Sequence, residues 1–296
     1  MTAGYTFVDE VPPSFASPTL IVALAGWIDA SGAAAAAMAT LESECNAKII
    51  AVFDGDTFID YRARRPTMEL RDGVNTRLVW PHIELKAGRD LNGNDVLLLT
   101  GPEPDMAWRR FATEVAEVGG RLGVSKVVAL GAYPFATPHT RDSRLSISTP
   151  SVEIARATPL LKSSIDVPAG VASLLEHAFH DRGIDALGIW VQVPHYVSSM
   201  AYPAATVALL CGLLTVSGVN VDGAAPRRET IIQRQRLDEL VAGNAEHGDM
   251  VRQLESLFDA AEHASDTSNP LVASEIPSAD ELGAELEQFL REQGGM

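Results

Sequence analysis

Leu20-Ile21-Val22-Ala23-Leu24-Ala25-Gly26-Trp27-Ile28-Asp29-Ala30-Ser31-Gly32, continued by an alanine-rich run as far as Leu41, is the stretch that decides the fold. Six apolar residues without alternation read as a strand covered on both faces. The glycines around Asp29 read as a loop, and the alanines as a helix. This is the opening half of a βαβ unit. Outward from it, apolar strands are predicted at 48–53, 95–100, 126–132 and 186–193, and helices at 106–122, 171–182 and 204–217. Residues 67–70 and 76–80 flank Asp72-Gly73, a hairpin pair read as an edge or an excursion from the main sheet. Alternating strands and helices argue for a three-layer α/β/α sandwich with a mostly parallel sheet.

The charge pattern changes near Pro226. Residues 226–296 hold 6 basic and 15 acidic side chains, a net of -9, whereas residues 1–225 hold 17 and 24, a net of -7. The chain is therefore read as an α/β/α core over 1–225 and an acidic helical appendage over 226–296. Apolar stripes at Ile231, Leu237, Leu240 and Val241, at Met250, Leu254, Leu257 and Phe258, and at Leu282, Leu286, Phe289 and Leu290 call for a covering surface. Gly243 to Gly248 is expected to break the first two helices. Residues 265–277 read as a linker, and Ser278 with Glu281 as a capping box.

A formal charge of -16 over 296 residues disfavours nucleic acid as a partner. The two cysteines, Cys45 and Cys211, have no CxxC or Cys/His spacing, so neither a disulfide framework nor a metal site is indicated. Residues 1–18 lack the charge and apolar pattern of a signal peptide, and the apolar run 204–219 is interrupted by Thr206, Gly212, Thr215 and Ser217. A cytoplasmic protein without membrane span or cofactor is expected.

The dinucleotide GxGxxG, the P-loop, GxSxG and HExxH are all absent from the sequence. Candidate ligand or structural residues come from the strand-end loops, where open α/β sheets bind ligands. Gly26 and Asp29 sit at a strand-to-helix junction, with Asp29 read as the N-cap of the alanine-rich helix. Asp60-Tyr61-Arg62-Ala63-Arg64-Arg65-Pro66 is locally basic. Arg62 and Arg65 either hold an anion or pair with Asp54, Asp56, Asp60 or Glu103. In Gly101-Pro102-Glu103-Pro104-Asp105, Asp105 is read as a helix N-cap. Glu103 is left to an arginine or a ligand. His139 and Arg141 in Pro138-His139-Thr140-Arg141, and His195 and Tyr196 after Pro194, follow two apolar strands, and the two histidines could converge on one cleft. No nucleophile is marked by spacing. His177 and His180 lack further ligands for a metal.

In register, Gly26-Trp27-x-Asp29-Ala30, the Asp60 to Pro66 motif with Asp72-Gly73 and Trp80-Pro81, and Gly101-Pro102-Glu103-Pro104-Asp105-x-x-Trp108 form an ordered series. It is completed by Pro138-His139-Thr140-Arg141 and Trp190-x-x-Val193-Pro194-His195-Tyr196-Val197. The whole, from about Val22 to Pro203, resembles the proteasome assembly chaperone family of the second type in its actinobacterial form. The resemblance implies a fold similar to purine nucleoside phosphorylases and related hydrolases, and a homo-oligomer, with a trimer preferred by analogy. It also implies protein partners, proteasome components among them. This chain departs from the branch at Asp142-Ser143-Arg144, where members tend to read Pro after Arg, and residues 152–167 lack a glycine-rich character. The expectation is a non-enzymatic assembly or protein-binding factor; the alternative is a nucleoside- or anion-binding enzyme, or a metabolite sensor, using the strand-end loops.

Overall fold

The computed structural model describes residues 4–9 and 13–265. A short strand β1 (Tyr5–Phe7) precedes β2 (Thr19–Ala25), helix α1 (Ala33–Glu44), β3 (Lys48–Phe53) and the single-turn α2 (Gly55–Phe58). The hairpin β4 (Thr67–Arg71) and β5 (Val74–Val79) follows, then β6 (Glu84–Arg89), β7 (Asp95–Pro102) and α3 (Trp108–Arg121). Next come β8 (Lys126–Phe135), β9 (Leu145–Ser148), α4 (Val152–Ala157), α5 (Val171–His180), β10 (Asp185–Pro194) and α6 (Pro203–Ser217). Helices α7 (Ala224–Ala242) and α8 (Ala245–Ser265) complete the described chain.

One eight-stranded sheet runs in the order β1-β3-β6-β7-β2-β8-β10-β9. Strands β3, β7, β2, β8 and β10 point one way, and β1, β6 and β9 oppose them. The expected mostly parallel sheet is therefore present, with antiparallel additions at both sides. The three opposing strands escaped the sequence reading because they are short or half-covered: β6 buries Leu85 alone, and β9 has four residues.

Helices α1 and α6 pack on one face of the sheet and α3 and α5 on the other, each with its own core cluster. Leu97, Leu98 and Leu99 on β7 are fully buried, alternating between the two clusters. Each such leucine stabilises the fold by about 2 kcal/mol. The pair β4 and β5 forms a separate two-stranded sheet, an excursion as the Asp72-Gly73 turn suggested. Both turn residues have positive φ, 51° and 81°.

Two helix starts differ from expectation. Asp29 does not precede α1 directly. A turn of 3-10 helix, Ala30–Gly32, intervenes, and Ser31 and Gly32 take φ of 61° and 66°. Asp29 nonetheless reaches back to cap the helix: Oδ1 accepts the Ala34 N–H at 2.8 Å and Oδ2 the Ala35 N–H at 3.0 Å. Asp105 does not cap α3, whose N-cap is Ala107; Asp105 instead takes Arg64 and the Asp60 N–H.

Helices α7 and α8 are separated at Gly243 and Asn244, and Asn244 Oδ1 accepts the Glu246 N–H. Leu237 on α7 joins the α1 and α6 core, and Val251, Leu254 and Phe258 on α8 are buried. Ile231, Leu240 and Leu257 remain exposed. Most of the expected linker after Ser265, the capping box at Ser278 and Glu281, and the stripe from Leu282 to Leu290 lie outside the described residues.

Candidate functional site

Strand β2 is hydrogen-bonded to β7 along its whole length, to Ala25 opposite Pro102, but its ladder with β8 ends at Val22 opposite Ala129. The chain leaves β2 through α1 on one face and leaves β8 toward α5 on the other. The crevice between their ends is thus a topological switch point, the usual ligand position in such sheets. It is lined by Val22 and Leu24 from β2, Leu130 from β8, Trp190 from β10, Trp27, and Glu103 with the first turn of α5. Its cavity measures about 30 Å³.

Glu103 is buried, with 7% exposure, and accepts the Val171 N–H at the start of α5. It therefore offsets the positive end of that helix. Gly26, at φ 134°, lies against it: a Cβ there would come within 2.8 Å of Arg64 Nη2 and 3.3 Å of Glu103 Cβ. Gly170 is equally required, because a Cβ would meet Trp27 Cδ1 at 2.8 Å.

The carboxylate pairing read as one alternative for Arg62 and Arg65 falls instead to Arg64. Arg64 makes the ion pair, Nε to Asp105 Oδ1 at 3.0 Å, while Arg62 and Arg65 are exposed and make no ion pair among the described residues. Asp60 accepts the Arg62 backbone N–H instead of its guanidinium. The Arg62 and Arg65 side chains therefore stand at the root of the β4 and β5 hairpin.

Neither His139 nor His195 lines the crevice. His139 is buried. Its backbone N–H donates to Tyr196 Oη at 2.7 Å, its Nδ1 lies 2.7 Å from the same oxygen, and its Nε2 lies 3.1 Å from Asp238 Oδ1. Asp238 can only accept, so Nε2 carries the proton and Nδ1 accepts the Tyr196 hydroxyl. Burial lowers the His139 pKa, opposed by Asp238, which keeps the ring neutral. Burial also pushes the Tyr196 hydroxyl well above its ordinary value. His195 does not join this network. It is exposed and meets the Tyr196 ring edge-on, at 5.3 Å between centroids.

The same loop grips α8. Arg141 forms a bidentate pair with Asp259 at 2.9 Å from both nitrogens and reaches Glu255 at 3.1 Å; Thr140 also donates to Glu255. Arg144 lies over the Phe258 ring at 3.6 Å and donates to the Phe258 carbonyl, and Arg234 on α7 donates to the Thr140 carbonyl. Residues 139–144 are thus a clasp that joins the sheet to α7 and α8. Arg141 is thus paired with two carboxylates of α8.

The PAC2 family profile matches residues 23–241. The chain belongs to the PAC2 family. Among solved structures, it is similar to a Corynebacterium glutamicum protein of unknown function, with 31% identity, a TM-score of 0.80 and coverage of 88% of this chain and 98% of that one. A Mycobacterium tuberculosis protein of unknown function is 33% identical, with a TM-score of 0.80 and coverage of 90% and 92%. A proteasome-assembly chaperone homologue of Mycobacterium tuberculosis is 35% identical, with a TM-score of 0.72 and coverage of 79% and 99%. No match is found among proteins of curated function.

For this PAC2 family member, the nine candidate positions fall into three groups. Gly26 and Glu103 border the crevice, with Asp29 turned away to cap α1. Arg62 and Arg65 mark the hairpin root. His139, Arg141 and Tyr196 form the clasp, with His195 beside it. Sequence reasoning missed Trp27 and Trp190 as crevice walls, though both stood inside quoted motifs. It also missed Asp238, Glu255 and Asp259, whose roles follow only from the packing of α7 and α8. A further buried acid, Glu176, carried no signal: Ser148 donates to its Oε1 at 2.9 Å, and Trp190 Nε1 donates to Ser148 at 3.0 Å.

Proposed function

We propose that this PAC2 family member is a homo-oligomeric protein-binding factor of the assembly-chaperone kind, acting without chemical turnover. The observation that carries this reading is the β4 and β5 hairpin. Met68 pairs across the strands with Leu78, and Leu70 continues their row; their exposures are 52%, 43% and 51%. Glu69 pairs with Arg77 on the opposite face. A two-stranded sheet with an uncovered apolar face is marginal by itself and gains stability from a partner surface. Trp80, packed on Tyr61 at 4.6 Å, stiffens its base. We take a second copy of the chain as the first partner, in a closed ring such as a trimer.

Two further facts support the reading. Glu103 in the crevice accepts the Val171 N–H, and about 30 Å³ cannot hold a nucleoside, since small-molecule sites run to about 300 Å³ or more. Among the described residues, no helix is long and apolar enough to cross a membrane. The assembly-chaperone role is supported by the family and by the chaperone homologue at 35% identity. Proteasome subunits are the partners proposed for the assembled oligomer.

The test is light scattering on the wild type and on Leu78→Glu, followed by capture of proteasome α-subunits by each. An oligomeric wild type, a dissociated variant and capture by the oligomer alone are expected. A wild type that is monomeric at tens of micromolar would defeat the self-association part; an oligomer that captures no subunit would defeat the chaperone part.

A further inference from the structure

Helix α7 is anchored to the core through Pro226 and Leu237, which are buried. A different side of the same helix carries a stripe from Thr230 to Ala242, with Ile231, Arg234, Gln235 and Asp238 spaced three and four apart. This stripe borders a cavity of about 670 Å³ whose walls, among the described residues, come from α7 alone. Ile231 lies in it with 71% exposure and belongs to neither core cluster. A cavity of this size beside a bare isoleucine has room for several large apolar side chains.

Charge selects what fills it. Arg228 and Arg234 stand three residues to either side of Ile231, and neither forms an ion pair among the described residues; Arg234 donates to the Thr140 carbonyl. The acids of the stripe are engaged, Asp238 with His139 and Glu239 with Gln235. The uncommitted charge beside Ile231 is therefore positive, and an acidic amphipathic helix fits it. Residues 266–296, outside the described residues, hold one basic and seven acidic side chains, whereas α7 holds four arginines against three acids. Within 278–290, Leu282, Leu286, Phe289 and Leu290 recur at helical spacing after the Ser278 and Glu281 capping box, and Glu281 and Glu285 border the apolar row.

Length and reach agree with charge. As a helix, Leu282 to Leu290 measures about 12 Å, which fits within the roughly 18 Å from Thr230 to Ala242. Thr140 bonds both Arg234 on α7 and Glu255 on α8, so α8 returns alongside α7. Residues 266–277 span up to about 40 Å when extended, more than the length of α7 at about 28 Å. We propose that residues 278–290 form a third helix of the C-terminal appendage and dock on this stripe of α7 in the same chain. The apolar row covers Ile231, and the glutamates meet Arg228 and Arg234. A tether this short holds the segment at an effective concentration of about a millimolar, ahead of a second copy in dilute solution. The proposal stands apart from the self-association and chaperone readings, and oligomeric state is not its readout.

The experiment is hydrogen exchange read by mass spectrometry on the full chain, joined to a cross-link. In Leu286→Glu, exchange over 224–242 should speed up about tenfold or more, and in Ile231→Glu the same acceleration should appear over 278–290. Strands β7 and β8 should stay protected in both, since neither position lies in the core clusters. For the cross-link, Gln235→Cys and Glu285→Cys are combined with Cys211→Ser, which leaves the buried Cys45 as the remaining native thiol, and the protein is treated with a short-armed bis-maleimide. A link within one chain is expected. Unchanged exchange in either variant, or no link between the two positions, would overturn the proposal. A link that joins two chains and never one would also overturn it, and would give the stripe to a second copy.

Discussion

Glu176 offers the sharpest quantitative test of the structure. It sits on α5 with 4% exposure, receives one hydrogen bond from Ser148, and has its pKa raised by burial to about 7 from the ordinary 4.5. Because the folded state binds the proton more tightly than the unfolded chain, the Glu176 contribution to stability is highest at low pH. It falls as pH rises from the unfolded value toward about 7, and levels off above it. A shift of about 2.5 units corresponds to about 3 kcal/mol in total, of which about 2 kcal/mol accrues between about pH 5.5 and about pH 8. Glu176→Gln cannot ionise but retains an oxygen for the Ser148 hydroxyl. Its amide adds a penalty that is the same at every pH, so the informative quantity is the change with pH in the stability difference between variant and wild type. Urea unfolding of both proteins at the two pH values should show the variant gaining about 2 kcal/mol relative to wild type at the higher pH. A difference that stays constant to within about 0.5 kcal/mol would show that Glu176 is hydrated or already ionised, and the described packing around it would be wrong.

Other consequences follow from the clasp and the sheet. His139 has a folded pKa below the ordinary 6.5, so its contribution is present above that value and is lost as pH falls through the folded pKa. His139→Gln should flatten the acid side of the thermal-melting profile, and an unchanged profile would contradict the buried neutral ring. Arg141→Ala removes the pairs to Asp259 and Glu255, so hydrogen exchange over 245–265 should speed up by an order of magnitude or more while β7 and β8 stay protected. Equal protection in the variant would show that apolar contacts alone hold α8. Gly131→Ala places a methyl group against the Trp190 ring and should destabilise the fold by about 1–3 kcal/mol in denaturant unfolding; a neutral result would mean the ring moves freely.

The layered sheet was legible in the sequence because strands buried on both faces are continuous apolar runs, and helices between them have their own period. Leu20 to Ala25 and the alanines after it contained the βαβ unit without reference to anything distant. Asp72-Gly73 likewise announced its hairpin, since turn geometry is local. β6 and β9 were not legible, because a half-covered antiparallel strand has no pattern apart from the neighbour it joins.

What the sequence could not decide was which charges meet. Arg62, Arg64 and Arg65 are nearly equivalent as residues, and only the path of the loop beside Gly26 brings Arg64, rather than the others, to Asp105. The sequence also named His139, Arg141 and Tyr196 together, but their partners lie about a hundred residues away on α7 and α8, for His139 and Arg141. Hydrogen bonds and ion pairs act within a few ångströms and depend on angle, so they are set after the hydrophobic layers have brought remote segments together. Sequence periodicity by itself determined the layers and their order of appearance; the tertiary structure decided that the strand-end residues form a narrow crevice, a clasp and an exposed hairpin root instead of one cleft.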